Sequence, residues 1–155
     1  MEKIKIILVD DHMMFLEGLK SSLEKYPFIE VVGIFDTVKG ALQFLKTNTI
    51  DLVITDMSMP DINGIEFIKV VKQDYKDLKV MAISTFSPLH YEPGFYDGYL
   101  LKDTDIDTVI EAIKTIIYQR KTYFYREMNA TNELNFSTKV LTKREKQITA
   151  LIAQE

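Results

Sequence analysis

The sequence predicts an α/β fold in which a doubly wound parallel sheet carries helices on both faces, and three observations support this. Short apolar runs rich in Val and Ile recur through the first hundred residues, as in strands that are buried on both faces. Segments with apolar residues at helical spacing separate these runs. Alternating strands and helices imply right-handed crossovers between parallel strands. The predicted strands are Ile4–Val9, Ile29–Phe35, Leu52–Thr55, Val80–Ile83 and Tyr99–Leu101.

Four segments show the apolar spacing of helices. The first three begin after Asp11, Thr37 and Gly64, and Thr37 is a residue type that caps helices. The fourth, Ile106–Ile117, has the most regular apolar stripe, with acidic residues in its first turn. The predicted N-cap of this last helix is Asp103 or Thr104.

The crossover between the fourth and fifth predicted strands, Ser87–Tyr96, departs from this regular pattern. Pro88 could begin a helix, but Pro93 would end it within about one turn. We therefore expect a single turn or an irregular loop where the fourth crossover helix would stand.

The composition excludes several kinds of site. The chain has no cysteine, which rules out disulfides, a thiol nucleophile and Cys-ligated metals. Its two histidines, His12 and His90, disfavour a His-rich metal site. No apolar run approaches the ~18 residues of a membrane span, and the first run turns polar at Asp10, unlike a signal peptide. The expectation is a soluble, cytoplasmic protein without a membrane partner.

The balance of acidic and basic side chains differs between two parts of the chain. Residues 1–118 hold 12 basic and 19 acidic side chains, and residues 119–155 hold 7 basic and 4 acidic ones. Residues 119–138 lack a clear periodicity and are predicted to be a linker. A new helix is expected after Thr142, because Glu145 completes a capping box. This helix would be marginal by itself, so it needs a packing partner.

Charged and hydroxyl residues stand at the ends of four predicted strands. The carboxyl ends of parallel strands meet at one edge of the sheet, where α/β folds place their sites. Clustered carboxylates repel one another, and a hard divalent cation such as Mg²⁺ relieves this repulsion. An aspartate held beside Mg²⁺ and a lysine could accept a phosphoryl group. The strand-end residues are Asp10 and Asp11, Asp56, Ser84 and Thr85, and Lys102.

Each of these residues also has a simpler interpretation. Asp10 and Asp11 could cap the first helix, Asp56 could be a turn residue, and Lys102 could be a solvated strand end. The hydroxyls could belong to a loop. The combination favours a shared site, because independent strand ends rarely supply matching chemistry.

Three segments, Ile6–His12, Asp51–Gly64 and Gly98–Asp103, resemble the receiver domain of bacterial response regulators. The resemblance covers about residues 3–118. It implies a flavodoxin-like (CheY-like) five-stranded sheet of order 2-1-3-4-5, with Mg²⁺ as cofactor and a sensor histidine kinase as partner. By this resemblance Asp56 is the phosphoacceptor. The implied metal ligands are Asp10, Asp11, Asp56 and the backbone carbonyl of Ser58.

The resemblance also implies that Lys102 contacts the phosphoryl group, that Ser84 is the switch hydroxyl and that Tyr99 is the switch aromatic. Two departures affect the switch rather than the phosphoryl chemistry. The segment from Ser84 to Lys102 is shorter than usual by about one helical turn of ~3.6 residues. Bulky Phe95 and Tyr96 replace a small pair that the family places there.

Residues Leu141–Ile148 resemble the opening helix of a LuxR-type helix-turn-helix domain, so residues 139–155 are expected to be its truncated start. The chain as a whole then resembles a transcription regulator of the NarL/FixJ type, which would contact DNA only through the missing C-terminal part.

Two functions follow from these resemblances. The first is a phosphoryl-accepting switch that regulates transcription and is not an enzyme with an external substrate. The alternative is a receiver-like interaction module that acts independently of phosphorylation. A homodimer through the first helix and the Ile106–Ile117 helix is a further expectation.

Overall fold

A computed structural model describes residues 2–57, 64–85 and 96–124. This part of the chain forms six strands and four helices. The strands are β1 (Ile4–Val9), β2 (Ile29–Phe35), β3 (Leu52–Asp56), β4 (Lys79–Ser84), β5 (Gly98–Leu101) and β6 (Tyr123–Phe124). The helices are α1 (Met13–Leu23), α2 (Val38–Leu45), α3 (Gly64–Asp74) and α4 (Ile106–Ile117).

The strands form one parallel sheet in the order β2-β1-β3-β4-β5-β6. The predicted order 2-1-3-4-5 is therefore confirmed, and each predicted strand lies within one residue of its observed ends. Strand β1 has neighbours on both sides, and so has β3, which explains their near-continuous apolar sequences. The ends of β1, β3, β4 and β5 lie at the same edge of the sheet.

The sheet has a hydrophobic core on each face. One face is covered by α1 and α4 and buries aliphatic side chains such as Leu16, Leu100 and Ile113. The other face is covered by α2 and α3 and includes Phe67, Tyr96 and Tyr99. Residues that alternate along a strand point to opposite faces, so Tyr99 and Leu100 belong to different cores.

The helix caps confirm one prediction and correct another. The Thr37 hydroxyl accepts a hydrogen bond from Gly40 N at 3.1 Å, as expected for an N-cap. The N-cap of α4 is Asp105, and the prediction of Asp103 or Thr104 was wrong. The reason is that Thr104 N donates to Leu101 O at 3.0 Å, so the two candidate residues form the turn after β5. Hydrogen bonds from Thr108 to its carboxylate lower the pKa of Asp105.

Strand β6 is a second correction, because Tyr123 and Phe124 were assigned to the linker and only five strands were expected. After α4 the chain reverses at Arg120, which has a positive φ of 56°. Tyr123 N then donates to Asp97 O at 3.0 Å, and β6 pairs with β5. Gly98 favours this approach, because a Cβ there would crowd Tyr123 O at 3.1 Å and displace Ile116 Cδ1, which would lie 2.7 Å away.

Some predictions fall on residues that the structure does not describe. They are the crossover over residues 86–95, the Ser58 ligand and the helix expected after Thr142. The division into residues 1–118, 119–138 and 139–155 stays a prediction. Among the described helices, none has both the length and the apolarity needed to cross a membrane.

Candidate functional site

Asp10 forms the floor of an acidic pocket at the carboxyl edge of the sheet. It directly follows β1, and its backbone N donates to Phe35 O of β2 at 3.0 Å. Its side chain is completely buried. Asp10 Oδ1 accepts a hydrogen bond from His12 N at 2.9 Å, a turn that aspartate commonly forms with the residue two positions on. No side chain caps α1, so the capping interpretation of Asp10 and Asp11 is not what the structure shows.

Lys102 reaches into the same pocket from the end of β5. Its backbone N donates to Ser84 O at 2.7 Å, which ties the residue to the end of β4. Its Nζ lies 2.6 Å from Asp10 Oδ2 and 3.8 Å from Asp56 Oδ1. The Phe15 ring lies beside the ammonium, with its centroid 4.9 Å from Nζ. Because only 15% of the Lys102 side chain is exposed, it is not a solvated strand end.

Asp56 is the last residue of β3 and is 5% exposed, so it is a buried strand residue and not a turn residue. It lies beside the end of β1 and pairs with Ile83 of β4, which places its carboxylate near the centre of the edge. One ammonium therefore lies between two buried carboxylates. The buried part of the pocket has an excess of negative charge, and Asp11 with its partly exposed carboxylate adds to this excess.

His12 belongs to the pocket as well, and the sequence analysis missed it. Its Nδ1 lies 3.1 Å from Asp10 Oδ1, 3.5 Å from Asp11 Oδ1 and 3.1 Å from Lys102 Nζ. A count of only two histidines had argued against a histidine site. The available signal was the unbroken succession of two acids and a histidine after a buried strand.

The donor atoms of the pocket fit a divalent cation. Within residues 2–57, 64–85 and 96–124, Asp10, Asp11 and His12 form a cluster whose potential ligand atoms all lie within 4.8 Å of one another. The buried Asp10 Oδ2 accepts no hydrogen bond of good geometry, although Lys102 Nζ balances its charge. Asp56 is not part of this compact cluster and is connected to it through Lys102. Carboxylate oxygens are the ligands that Mg²⁺ prefers.

The two predicted switch residues lie in different surroundings. Ser84 ends β4, and its carbonyl holds Lys102 at the pocket. Tyr99 is 2% exposed and lies on the face that α2 and α3 cover. Its ring centroid is 5.3 Å from that of Tyr96, which in turn lies 6.2 Å from Phe124. Tyr99 is therefore part of an aromatic cluster that reaches β6.

A groove opens between α1 and α4, next to the pocket. Its volume is about 360 Å³, and Lys102 lines one end of it. Met14 of α1 is one of the residues that line the groove, and it is 87% exposed. Apolar lining and an exposed methionine distinguish this surface from the acidic pocket beside it.

Comparison with known proteins agrees with this geometry. A family model described as the response regulator receiver domain matches residues 6–114. The transcriptional regulatory protein DegU of Brevibacillus brevis is 35% identical over 118 residues, which cover 74% of this chain and 50% of DegU. The response regulator protein VraR of Staphylococcus saprophyticus is 30% identical over 160 residues, covering 97% of this chain and 76% of VraR. The chain thus spans about half the length of DegU.

Solved structures give the same fold. The signal receiver domain of NarL from Mycobacterium tuberculosis superposes with a TM-score of 0.65 at 28% identity, covering 76% of this chain and 98% of that domain. The receiver domain of RcsB from Salmonella enterica gives a TM-score of 0.71 at 23% identity, covering 83% and 98%. With the family match over residues 6–114, these similarities show that the chain belongs to the response regulator receiver family and that its relatives are regulators of the NarL/LuxR type.

Proposed function

We propose that this protein is a phosphorylation switch of a two-component system, in which Asp56 accepts a phosphoryl group from a sensor histidine kinase in the presence of Mg²⁺. The observation that carries the proposal is the buried Asp56 carboxylate with the Lys102 ammonium 3.8 Å away. A buried acid beside a lysine ammonium is suited to hold a group whose charge must be neutralised.

Each pocket residue would have a separate role in phosphoryl transfer. Asp10 and Asp11 would hold Mg²⁺, which supplies charge neutralisation at the phosphoryl oxygens when it is bound. An Asp56 oxygen forms a bond to phosphorus while the bond from phosphorus to the kinase histidine nitrogen breaks. The electron pair of the broken bond returns to that nitrogen. Lys102 lies between Asp10 and Asp56, so its ammonium can follow the negative charge to the modified Asp56.

The direct test is to incubate the chain with Mg²⁺ and acetyl phosphate and to map the modification by mass spectrometry. A gain of about 80 Da on Asp56 is expected. Asp56→Asn should abolish the gain. The matched control is Asp51→Asn at the exposed residue just before the same strand, where Asp51 accepts a hydrogen bond from Lys5 N, and this variant should remain competent. An unmodified Asp56 would refute the switch and favour the phosphorylation-independent interaction module.

The Asp11→Ala variant distinguishes an effect on metal binding from an effect on folding. The variant loses a metal ligand but relieves repulsion between neighbouring carboxylates, so it should fold and lose the metal-dependent phosphorylation. Circular dichroism checks the fold and mass spectrometry checks the modification. Normal phosphorylation of this variant would remove Asp11 from the metal site.

We further propose that phosphorylation controls transcription through a DNA-binding region that follows the receiver domain. The support is that DegU is named a transcriptional regulatory protein and that Leu141–Ile148 resemble the start of a helix-turn-helix domain. Sequence-specific binding usually requires a recognition helix in the major groove. Residues 1–155 by themselves should therefore show no specific binding in a gel shift, and specific binding would contradict this assignment.

The surface of α1 and α4 is our candidate for a homodimer contact. Met14 is exposed beside an apolar groove, and a two-fold axis would let each copy place its methionine on the other. Met14→Glu should then reduce association measured by light scattering after phosphorylation. Unchanged association would exclude this face.

A further inference from the structure

We propose that the ion pair between Lys72 and Asp97 is a clasp through which helix α3 controls whether strand β6 stays attached to the sheet. Strand β6 is the last element that the structure describes, and it lies in the predicted linker toward the DNA-binding region. The clasp lets the receiver hold or release the beginning of that linker. Its control by phosphorylation rests on the proposed function, in which Asp56, at the end of the strand that precedes α3, is modified.

Asp97 lies just before β5 and connects three other elements. Its backbone N donates to Val80 O at 2.8 Å, and its Oδ2 accepts a hydrogen bond from Val80 N at 2.8 Å. The same Oδ2 accepts a second hydrogen bond, from Lys72 Nζ at 2.6 Å. The carbonyl oxygen of Asp97 accepts from Tyr123 N at 3.0 Å. One residue therefore links α3, β4 and β6.

Lys72 transmits the position of α3 to this junction. It lies in the last turn of α3, whose side chains Phe67 and Val71 are completely buried in the core. Only 27% of the Lys72 side chain and 18% of the Asp97 side chain are exposed, so their charge-assisted hydrogen bond is stronger than an ordinary surface ion pair. Because the contact is already at 2.6 Å, a shift of α3 lengthens it and frees Asp97, whose carbonyl holds Tyr123.

The attachment of β6 is weak enough for such a clasp to matter. The strand is two residues long and lies at the edge of the sheet. The chain enters it through Arg120, whose φ of 56° is disfavoured for a residue that has a Cβ. Phe124 packs against the core under α2 and α3, the face on which Lys72 also acts. A short edge segment of this kind opens at a lower free energy than the core strands.

The first experiment measures amide hydrogen exchange in the whole chain by nuclear magnetic resonance. Lys72→Met keeps an apolar stem and removes the ammonium. The Tyr123 amide should then exchange about tenfold faster, while the Leu8 amide of the central strand β1 exchanges as in the wild type. Lys69→Met, at an exposed position one turn earlier on α3, is the matched control and should change neither rate.

A second variant approaches the clasp from the other side. Asp97→Asn keeps a side-chain oxygen that can accept from Val80 N, but it removes the ion pair with Lys72. It should accelerate the Tyr123 amide as Lys72→Met does. The double variant should exchange no faster than either single variant, because both remove the same interaction. Additive effects would overturn the clasp by showing that the two residues act separately.

The second experiment adds Mg²⁺ and acetyl phosphate and confirms the modification of Asp56 by mass spectrometry. Exchange at Tyr123 should become about fivefold or more faster in the wild type. It should stay at its already raised rate in Lys72→Met, because the clasp is absent there. An unchanged wild-type rate, or the same acceleration in Lys72→Met, would overturn the control of β6 by phosphorylation.

Failure of the clasp is distinguishable from failure of the proposed function. An unmodified Asp56 contradicts the proposed function, whereas the exchange rates of the unphosphorylated variants decide the clasp by themselves. A Tyr123 rate in Lys72→Met that equals the rate in Lys69→Met would overturn the clasp. Equal acceleration at Tyr123 and Leu8 would also overturn it, because the whole fold would then be destabilised and β6 would not be released selectively.

Discussion

The two faces of the sheet differ in how they are built. The core under α1 and α4 consists mainly of Leu, Ile and Val from regular stripes, such as the one along Ile106–Ile117. The core under α2 and α3 contains a contiguous aromatic cluster, Tyr96, Tyr99 and Phe124. None of these three aromatic residues lies in a helix. The first core therefore follows from periodicity along the chain, and the second depends on a strand that arrives after the last helix.

This difference affects how a conformational change at the pocket would spread through the sheet. Tyr99 pairs with Phe124 in the sheet, and its ring centroid lies 5.3 Å from that of Tyr96. A movement of Tyr99 would therefore disturb β6 as well as Tyr96, which lies just before β5. The buried members of the aliphatic core include no aromatic side chain, although Tyr123 of β6 packs against them.

The largest effect is expected in the aliphatic core. Ile113→Ala removes a completely buried side chain of α4 and should lower the free energy of unfolding by about 2–5 kcal/mol. Urea denaturation followed by circular dichroism measures this loss. The exposed Glu111 on the same helix is the control, and Glu111→Ala should change stability by less than about 0.5 kcal/mol. Equal effects would mean that α4 is not packed as described.

Gly98→Ala tests the junction between the two cores. The new Cβ would collide with Ile116 at 2.7 Å and crowd Tyr123 O at 3.1 Å. We expect a cost of about 1–3 kcal/mol. The Tyr123 amide should also exchange faster with deuterium, because β6 is pushed from β5.

Gly18→Ala is the matched control for this substitution. Nothing lies within 4 Å of a Cβ at Gly18, which is inside α1. Alanine is preferred over glycine in a helix, so this variant should gain up to about 1 kcal/mol. A destabilised Gly18→Ala, or a neutral Gly98→Ala, would contradict the packing of these two sites.

The N-caps of α2 and α4, which lie on opposite faces of the sheet, are expected to have smaller effects on stability. Thr37→Ala removes a neutral oxygen that accepts from Gly40 N and should cost about 1 kcal/mol. Because this cap carries no charge, the loss should be the same at pH 7 and at pH 3. Denaturation at the two pH values measures it, and a strong pH dependence would implicate another group.

Asp105 caps α4 with a carboxylate, so its effect depends on pH. Hydrogen bonds from Thr108 lower the pKa of Asp105 in the folded state. Its contribution is then fully present above the ordinary aspartate pKa and is lost as the pH falls through the lowered folded value. Asp105→Asn keeps an acceptor and should flatten this acidic part of the stability curve. A curve that is identical for both proteins would show that the ionised form makes no contribution.

Local patterns in the sequence were sufficient to predict most of the strands and the convergence of the main site residues. The apolar runs predicted five strands within one residue, the alternation of strands and helices predicted a doubly wound sheet, and the resemblance to the receiver family implied the strand order. Because parallel strands present their carboxyl ends at one edge, the positions of Asp10, Asp56 and Lys102 in the sequence were sufficient to predict their convergence. The strand positions and the convergence of these side chains need only periodicity and the geometry of a sheet.

Only the tertiary structure decided the remaining features, since each depends on contacts between distant parts of the chain. Asp105 is the cap because Thr104 is already engaged with Leu101. Strand β6 exists because Gly98 leaves room for Tyr123 and because aromatic rings hold Phe124 against the sheet. His12 joins the pocket because Lys102, ninety residues away, brings its ammonium to the same nitrogen that Asp10 and Asp11 face. A two-residue strand carries no periodic signal, and the succession of two acids and a histidine after β1 does not by itself show that Lys102 approaches the same nitrogen.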